Sequence, residues 1–284
     1  MKIGLQVYSV RRAFQANPLG ALAEVAKIGY KNLEFANHTA DKHPGVGAEI
    51  SAEKLRVGLE NNGQRSIGCH FMPLNEKVLP SILAYHKDLG TASVVMSLDY
   101  WRDRADVLDH CKLYNRIGEQ CHKAGMSFYY HNHYHEFQTT EGRQVIDLIV
   151  ENTDPALVSI ELDTYWTLRG VVDPVEKIRT YGNRIGILHQ KDYPLDQVRY
   201  LDVWTKLNRD KLVTAEERAG LKRDEEFTEI GDGIMKVQDI IDAGVDAGVS
   251  YMLVEQDAGH GTEFEMVAKS LANLHGMHGL DWEQ

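Results

Sequence analysis

Residues 3–14 read IGLQVYSVRRAF: an apolar, strand-forming run and then a connection, YSVRRAF, that contains no glycine. A doubly wound sheet ordinarily follows its first strand with a Gly-rich phosphate-binding turn. The missing turn therefore favours the other parallel architecture, a (β/α)8 TIM barrel. Working outward, strand-like runs recur at 32–36, 66–71, 93–98, from Ser127, and at 158–163, 185–191 and 251–256. Helix signals separate them. Asn17-Pro18 and Asp173-Pro174 each pair a capping side chain with a proline suited to the first helical turn, and Gly29 stops the helix that begins at Pro18. A long helix is expected from Arg104 to Lys123. Eight strands with intervening helices predict one barrel domain over residues 1–284.

The interval between strands seven and eight is roughly twice the others, and the surplus is a charged insertion at 193–227. Within it, Thr214-Ala215-Glu216-Glu217 matches a helical capping box. Such an insertion emerges on the C-terminal face of the barrel, where active sites lie. A lid, a subunit contact and a solvated loop all fit that position.

Composition narrows the function classes. The net charge of −11 and pI near 5.6 disfavour a nucleic-acid or anionic-membrane binder, which needs a basic face. No apolar run is long enough to span a bilayer, and the first strand begins at once without a leader pattern. Cys69, Cys111 and Cys121 form no CxxC pair, which suits reduced thiols and a cytoplasmic location.

In a barrel the C-terminal strand ends share one mouth, and here they present Tyr8, Glu34, His70, His131, Asp163, His189 and Glu255. Glu34 either belongs to the site at the mouth or pairs with an arginine such as Arg11 or Arg12, and His70 either faces substrate or sits hydrogen-bonded in the core. Asp163, His189 and Glu255 end three neighbouring strands. Two carboxylates and an imidazole so placed suit one divalent ion, Mn²⁺, Co²⁺, Zn²⁺ or Fe²⁺. The stretch YYHNHYHEF, residues 129–137, adds three histidines just past strand five. It reads either as a metal or acid/base site or as a polar loop.

Taken together, GLQVYSVR, GYKNLEFA, YHNHYHEF, ELDTYW with GVVDP, LHQKDY, GDGIMKVQDII and LVEQD resemble the xylose-isomerase-like TIM barrels. That group of sugar (phosphate) isomerases and epimerases includes inosose-dehydratase-like and 3-keto-glycoside-acting members. The resemblance covers nearly the whole chain and implies one metal held by Asp163, His189, Glu255 and a strand-five ligand. Relatives carry a glutamate where this chain has His131, so His131 is the expected fourth ligand, with Glu136 the nearest carboxylate. A histidine bound to metal has no free lone pair to act as a base. One base and a separate acid are therefore expected rather than a symmetric two-glutamate epimerase.

Glu255 is the expected base. Lys191 is expected to stabilise an enolate or protonate a leaving oxygen, unless it pairs with Asp192 or Glu161. Glu136 is the expected acid, and Tyr8, His70, His133 and Trp166 are expected at the substrate. Trp166 offers a flat apolar face to a sugar ring, although ordinary packing also accounts for it.

The function expected is abstraction of a proton beside a carbonyl of a keto-sugar, keto-glycoside or cyclitol, through a metal-bound enolate, by a lyase/hydratase or an isomerase/epimerase. A non-catalytic sugar-binding barrel and an abasic-site endonuclease-like barrel are the alternatives. The expected partner is a small carbohydrate, with homo-oligomers possible in barrels of this kind.

Overall fold

A computed structural model describes residues 1–221 and 223–282. The eight barrel strands are β1 (Lys2–Gln6), β2 (Asn32–Asn37), β3 (Arg65–Phe71), β4 (Ser93–Met96), β5 (Ser127–His131), β6 (Ser159–Asp163), β7 (Ile185–Gln190) and β8 (Tyr251–Val254). Each pairs in parallel with its sequence neighbours, and β8 closes the sheet on β1 through Lys2↔Tyr251 to Leu5↔Val254. The strands read as continuous apolar runs because both faces are covered, the outer one by helices.

The helices form where the local chemistry favours them. The Asn17 side chain accepts the Gly20 N–H, Pro18 opens the helix Pro18–Ile28, and Gly29 ends it at φ 125°. Asp103 caps Arg104–Lys123, which buries Val107, Cys111, Tyr114, Ile117 and Cys121 on one stripe with helical spacing. All three cysteines are free and buried. No helix among the described residues is long and apolar enough to cross a membrane.

The structure shortens several expected strands. The chain leaves β1 after Gln6, and Tyr8 lies in a 3-10 turn, Val7–Val10, anchored by its N–H on the Gln6 side chain. After β6 the chain turns at once into a helix, Thr164–Arg169, because the Asp163 carboxylate caps it by accepting the Trp166 N–H at 2.8 Å.

The insertion is built of 3-10 turns and the helix Ala215–Ala219, whose Thr214/Glu217 capping box forms as its sequence predicts. It is docked rather than loose. The Thr139 N–H donates to the Arg209 carbonyl at 2.7 Å, Trp204 Nε1 donates to the Gly170 carbonyl at 2.9 Å, and the Tyr165 hydroxyl donates to the Glu226 carbonyl at 2.7 Å. A buried ion pair, Arg169–Glu226 at 2.6 Å, pins its end.

Inside the barrel, alternation sends every second side chain inward. Ile187 and Leu253 fill the interior together with Ile67, which a register shift between β2 and β3 leaves unpaired. Beyond this apolar plug the inward positions turn polar.

Candidate active site

The polar layer begins with Glu34 on β2. Its carboxylate reaches across the barrel interior to His189 Nε2 on β7 at 2.8 Å, and to His70 Nε2 on the adjoining β3 at 3.0 Å. Gln6 Nε2 donates to the same carboxylate at 2.9 Å. Gly68 makes room for it, since a Cβ there would lie 2.6 Å from Glu34 Oε1. Glu34 therefore pairs with histidines, not with Arg11 or Arg12. Arg11 donates instead to the backbone carbonyls of Tyr8 and Asp257.

Glu161 on β6 is the second hub, two residues before Asp163 and so on the same inward face. Its Oε1 lies 2.6 Å from His70 Nε2, 3.0 Å from His131 Nδ1 and 3.1 Å from His189 Nε2. This leaves the other nitrogens of two histidines turned toward the mouth. His189 Nδ1 stands 2.8 Å from Glu255, and His131 Nε2 stands 4.0 Å from Asp163. A carboxylate behind an imidazole orients the ring and, when the ring is neutral, fixes the tautomer whose lone pair lies on the far side, as in the supporting shell of a metal centre.

Just above, the Lys191 ammonium lies between Asp163, at 2.6 Å, and Glu255. It takes these two partners rather than Asp192 or Glu161. Asp192 is occupied elsewhere, accepting the N–H groups of Gly231, Gly233 and Met235.

Ligand atoms of Asp163, His189 and Glu255 lie within 4.8 Å of one another, as do those of His70, His131, Glu161 and His189. The four expected ligands thus fall into two overlapping groups that share His189. In the deeper group the short imidazole–carboxylate contacts are those of a hydrogen-bonded network. The upper group suits a cation better. Its two carboxylates already hold an ammonium, and two imidazoles offer nitrogens toward it.

Charge follows the geometry. Burial would lower His70, but Glu34 and Glu161 outweigh it and hold the imidazole at about 9. Burial also opposes the charges on Lys191 and His189, yet the adjoining carboxylates raise both. Burial would raise Glu255, but Lys191 and His189 keep it well below the usual carboxylate range. Asp163 is pushed up to about 6 by burial, against the pull of Lys191. Burial lowers His131 to about 3 and also depresses His133, so both are neutral at ordinary pH.

A cavity of about 400 Å³ opens over this layer, and Tyr8, His70, His131, His133, Trp166, Lys191 and Glu255 all contribute to its wall. Glu136 does not. It is fully buried behind the wall, accepting the Tyr130 hydroxyl at 2.9 Å and the His133 N–H at 2.9 Å. Burial pushes it up to about 7. Its position is that of a support for His133, not of an acid facing substrate.

Sequence reasoning overlooked several wall and support residues. Glu161 carried a usable signal, its alternation with Asp163. His38, Asp257, Glu226 and Arg218 also line the cavity, but they lie past strand ends or in the insertion, where no periodicity marks them.

No family profile matches the chain. It is 36% identical over 194 residues to an inosose dehydratase of Geobacillus kaustophilus, a match covering 60% of each protein. The chain thus matches about 60% of the length of that curated relative. Among solved structures, a sugar phosphate isomerase/epimerase from Parabacteroides distasonis superposes with a TM-score of 0.81 at 27% identity, covering 99% of this chain and 95% of that one. The IOLI protein, solved with a zinc atom, shares the fold at a TM-score of 0.70 and 16% identity, with 97% of each chain covered. By sequence kinship and by the closed eight-stranded barrel, the chain is similar to inosose dehydratases and to sugar phosphate isomerase/epimerase barrels, which supports the xylose-isomerase-like resemblance.

Proposed function

We propose that this chain is a divalent-metal-dependent enzyme acting beside the carbonyl of a keto-sugar, keto-glycoside or cyclitol, with elimination or hydration as its reaction. The observation that carries this reading is the pair Asp163 and Glu255 closed around a cation beside imidazoles whose far nitrogens are engaged by Glu34 and Glu161. Asp163, His189, Glu255 and His131 would hold the ion. When bound, it supplies Lewis-acid polarisation of a carbonyl and its neighbouring hydroxyl.

The protein's own groups then divide the work. Glu255, held ionised, takes the proton from the carbon beside the carbonyl. Lys191, whose carboxylate neighbours keep it protonated, places a fixed positive charge where oxygen becomes negative. It serves better as this charge than as a proton donor. His133 is neutral, and its buried Nδ1 has no hydrogen-bond partner, so it can take up a substrate hydroxyl. Trp166, 5.4 Å from the His133 ring, offers the flat wall. No second carboxylate faces Glu255 from β5, where His131 stands, which favours one-base chemistry over epimerisation.

The inosose dehydratase relative supports a cyclitol or sugar ketone as substrate. The test is to incubate metal-supplemented protein with a keto-cyclitol and a 3-keto-glucoside in D₂O. The expected result is deuterium at the carbon beside the carbonyl together with an absorbing enone, both lost in Glu255→Gln. Formation of an epimer would overturn the single-base reading. Absence of metal, with ligand affinity unchanged in Glu255→Ala, would support a sugar-binding barrel instead.

A further inference from the structure

The roof of the cavity is contributed by the insertion, through Arg218, Ala219, Leu221, Glu226 and Phe227. Its charges are not treated alike. Arg169 and Glu226 neutralise one another at 2.6 Å, and below them Lys191 is shared by Asp163 and Glu255. Arg11 is satisfied by two backbone carbonyls. Arg218 differs from all of these. Among the described residues it pairs with no carboxylate, and its Nε is buried without a hydrogen-bond partner.

Arg218 lines the cavity together with His38 beyond β2 and with His133 and Tyr134 beyond β5, and so overhangs the mouth. Its side chain also meets the Tyr100 hydroxyl, a neutral partner. The backbone beneath it is fixed, with the Thr214/Glu217 capping box at one end of its helix and the Tyr134 hydroxyl donating to the Arg218 carbonyl at 3.5 Å. A cation fixed in a partly dry site without a counter-charge is costly unless a ligand supplies one, and a guanidinium matches the two oxygens of a carboxylate or phosphate.

We infer that Arg218 is a specificity residue that binds an oxyanion, carboxylate or phosphate, on the part of the substrate remote from Lys191 and Glu255. The inference rests on the carbohydrate reading of the cavity and deepens it, because the preferred ligand becomes an acidic or phosphorylated sugar or cyclitol.

Calorimetric titration of the purified full chain with D-glucose, D-glucuronate and D-glucose 6-phosphate tests it. At least one anionic ligand should bind about tenfold or more tighter than glucose, as expected for a charge-assisted pair. The glucuronate and phosphate arms identify which oxyanion is preferred. Arg218→Gln should erase the preference, with an unchanged thermal unfolding midpoint showing that the variant is folded, and Arg218→Lys should retain part of it. Equal binding of neutral and anionic sugars, or a preference that survives Arg218→Gln, overturns the inference and leaves the carbohydrate reading intact. Failure of all three ligands to bind also overturns the inference, while the keto-cyclitol and 3-keto-glucoside assay decides the carbohydrate reading separately.

Discussion

The floor and the roof of the cavity are built on opposite principles. In the floor, Glu34, His70, Glu161 and His189 come from four strands, are buried, and bond closely to one another. In the roof, the insertion borrows rigidity from its contacts, and among the described residues Arg218 forms no ion pair with a carboxylate and its Nε has no hydrogen-bond partner. The floor is preorganised, so its polar groups are oriented before anything enters. The roof keeps one charge in reserve. Reaction type should therefore respond to changes in the floor, and ligand choice to changes in the roof.

The largest effect is expected at the boundary of the two. Glu255→Gln removes the proposed base but keeps its shape, and should cut turnover by about a thousandfold, within the span usual for general bases. A steady-state assay with the responsive ketone measures this, and turnover within a few-fold of wild type would remove Glu255 from that role. Next comes Glu136, whose pKa burial raises from 4.5 to about 7. The native state then holds a proton that the unfolded chain releases, so this group's contribution to stability is greatest at acid pH. It declines as pH rises from the unfolded value through about 7. Glu136→Gln should gain up to about 3 kcal/mol over wild type at pH 8 relative to pH 5. Urea unfolding of both proteins at the two pH values checks the sign, and parallel pH profiles would contradict it.

Glu161→Gln tests the floor as a support. Loss of the carboxylate behind His131 and His189 should weaken divalent-ion binding by about ten- to a hundredfold. Competition with a chromophoric chelator reads this, and an unchanged affinity would mean the two imidazoles need no such orientation. The smallest effect belongs to the roof. Thr214→Ala removes the cap of the Arg218 helix and should cost about 1 kcal/mol. Its trace should be a higher KM with little change in kcat, whereas a fall in kcat alone would separate that helix from ligand binding.

The same contrast explains what was legible in the sequence. The barrel could be read because alternation, capping prolines and the glycine-free first connection are local signals, and the capping box at Thr214 formed for the same reason. Placing Asp163, His189 and Glu255 together needed only strand order. For Glu34 the sequence could not choose between the mouth and an arginine, because His189 lies across the barrel and His70 on the adjoining strand, and nothing nearby in sequence announces either contact. Glu136 was misplaced because the chain enters a 3-10 turn, His135–Phe137, right after the histidine cluster and buries that carboxylate. Arg218 had no signal, since an insertion carries no period from which a facing direction follows.

The central claim is that Asp163, His189, Glu255 and His131 form a divalent-metal centre with Lys191 beside it. Elemental analysis of wild-type and His189→Ala protein, each equilibrated with Mn²⁺, Co²⁺, Zn²⁺ or Fe²⁺ and freed of excess ion, tests it most directly. About one tightly held ion per wild-type chain and almost none in the variant is the predicted result. Wild-type protein that retains no ion under any of these conditions would contradict the account and leave Lys191 as the cation that Asp163 and Glu255 are built to hold.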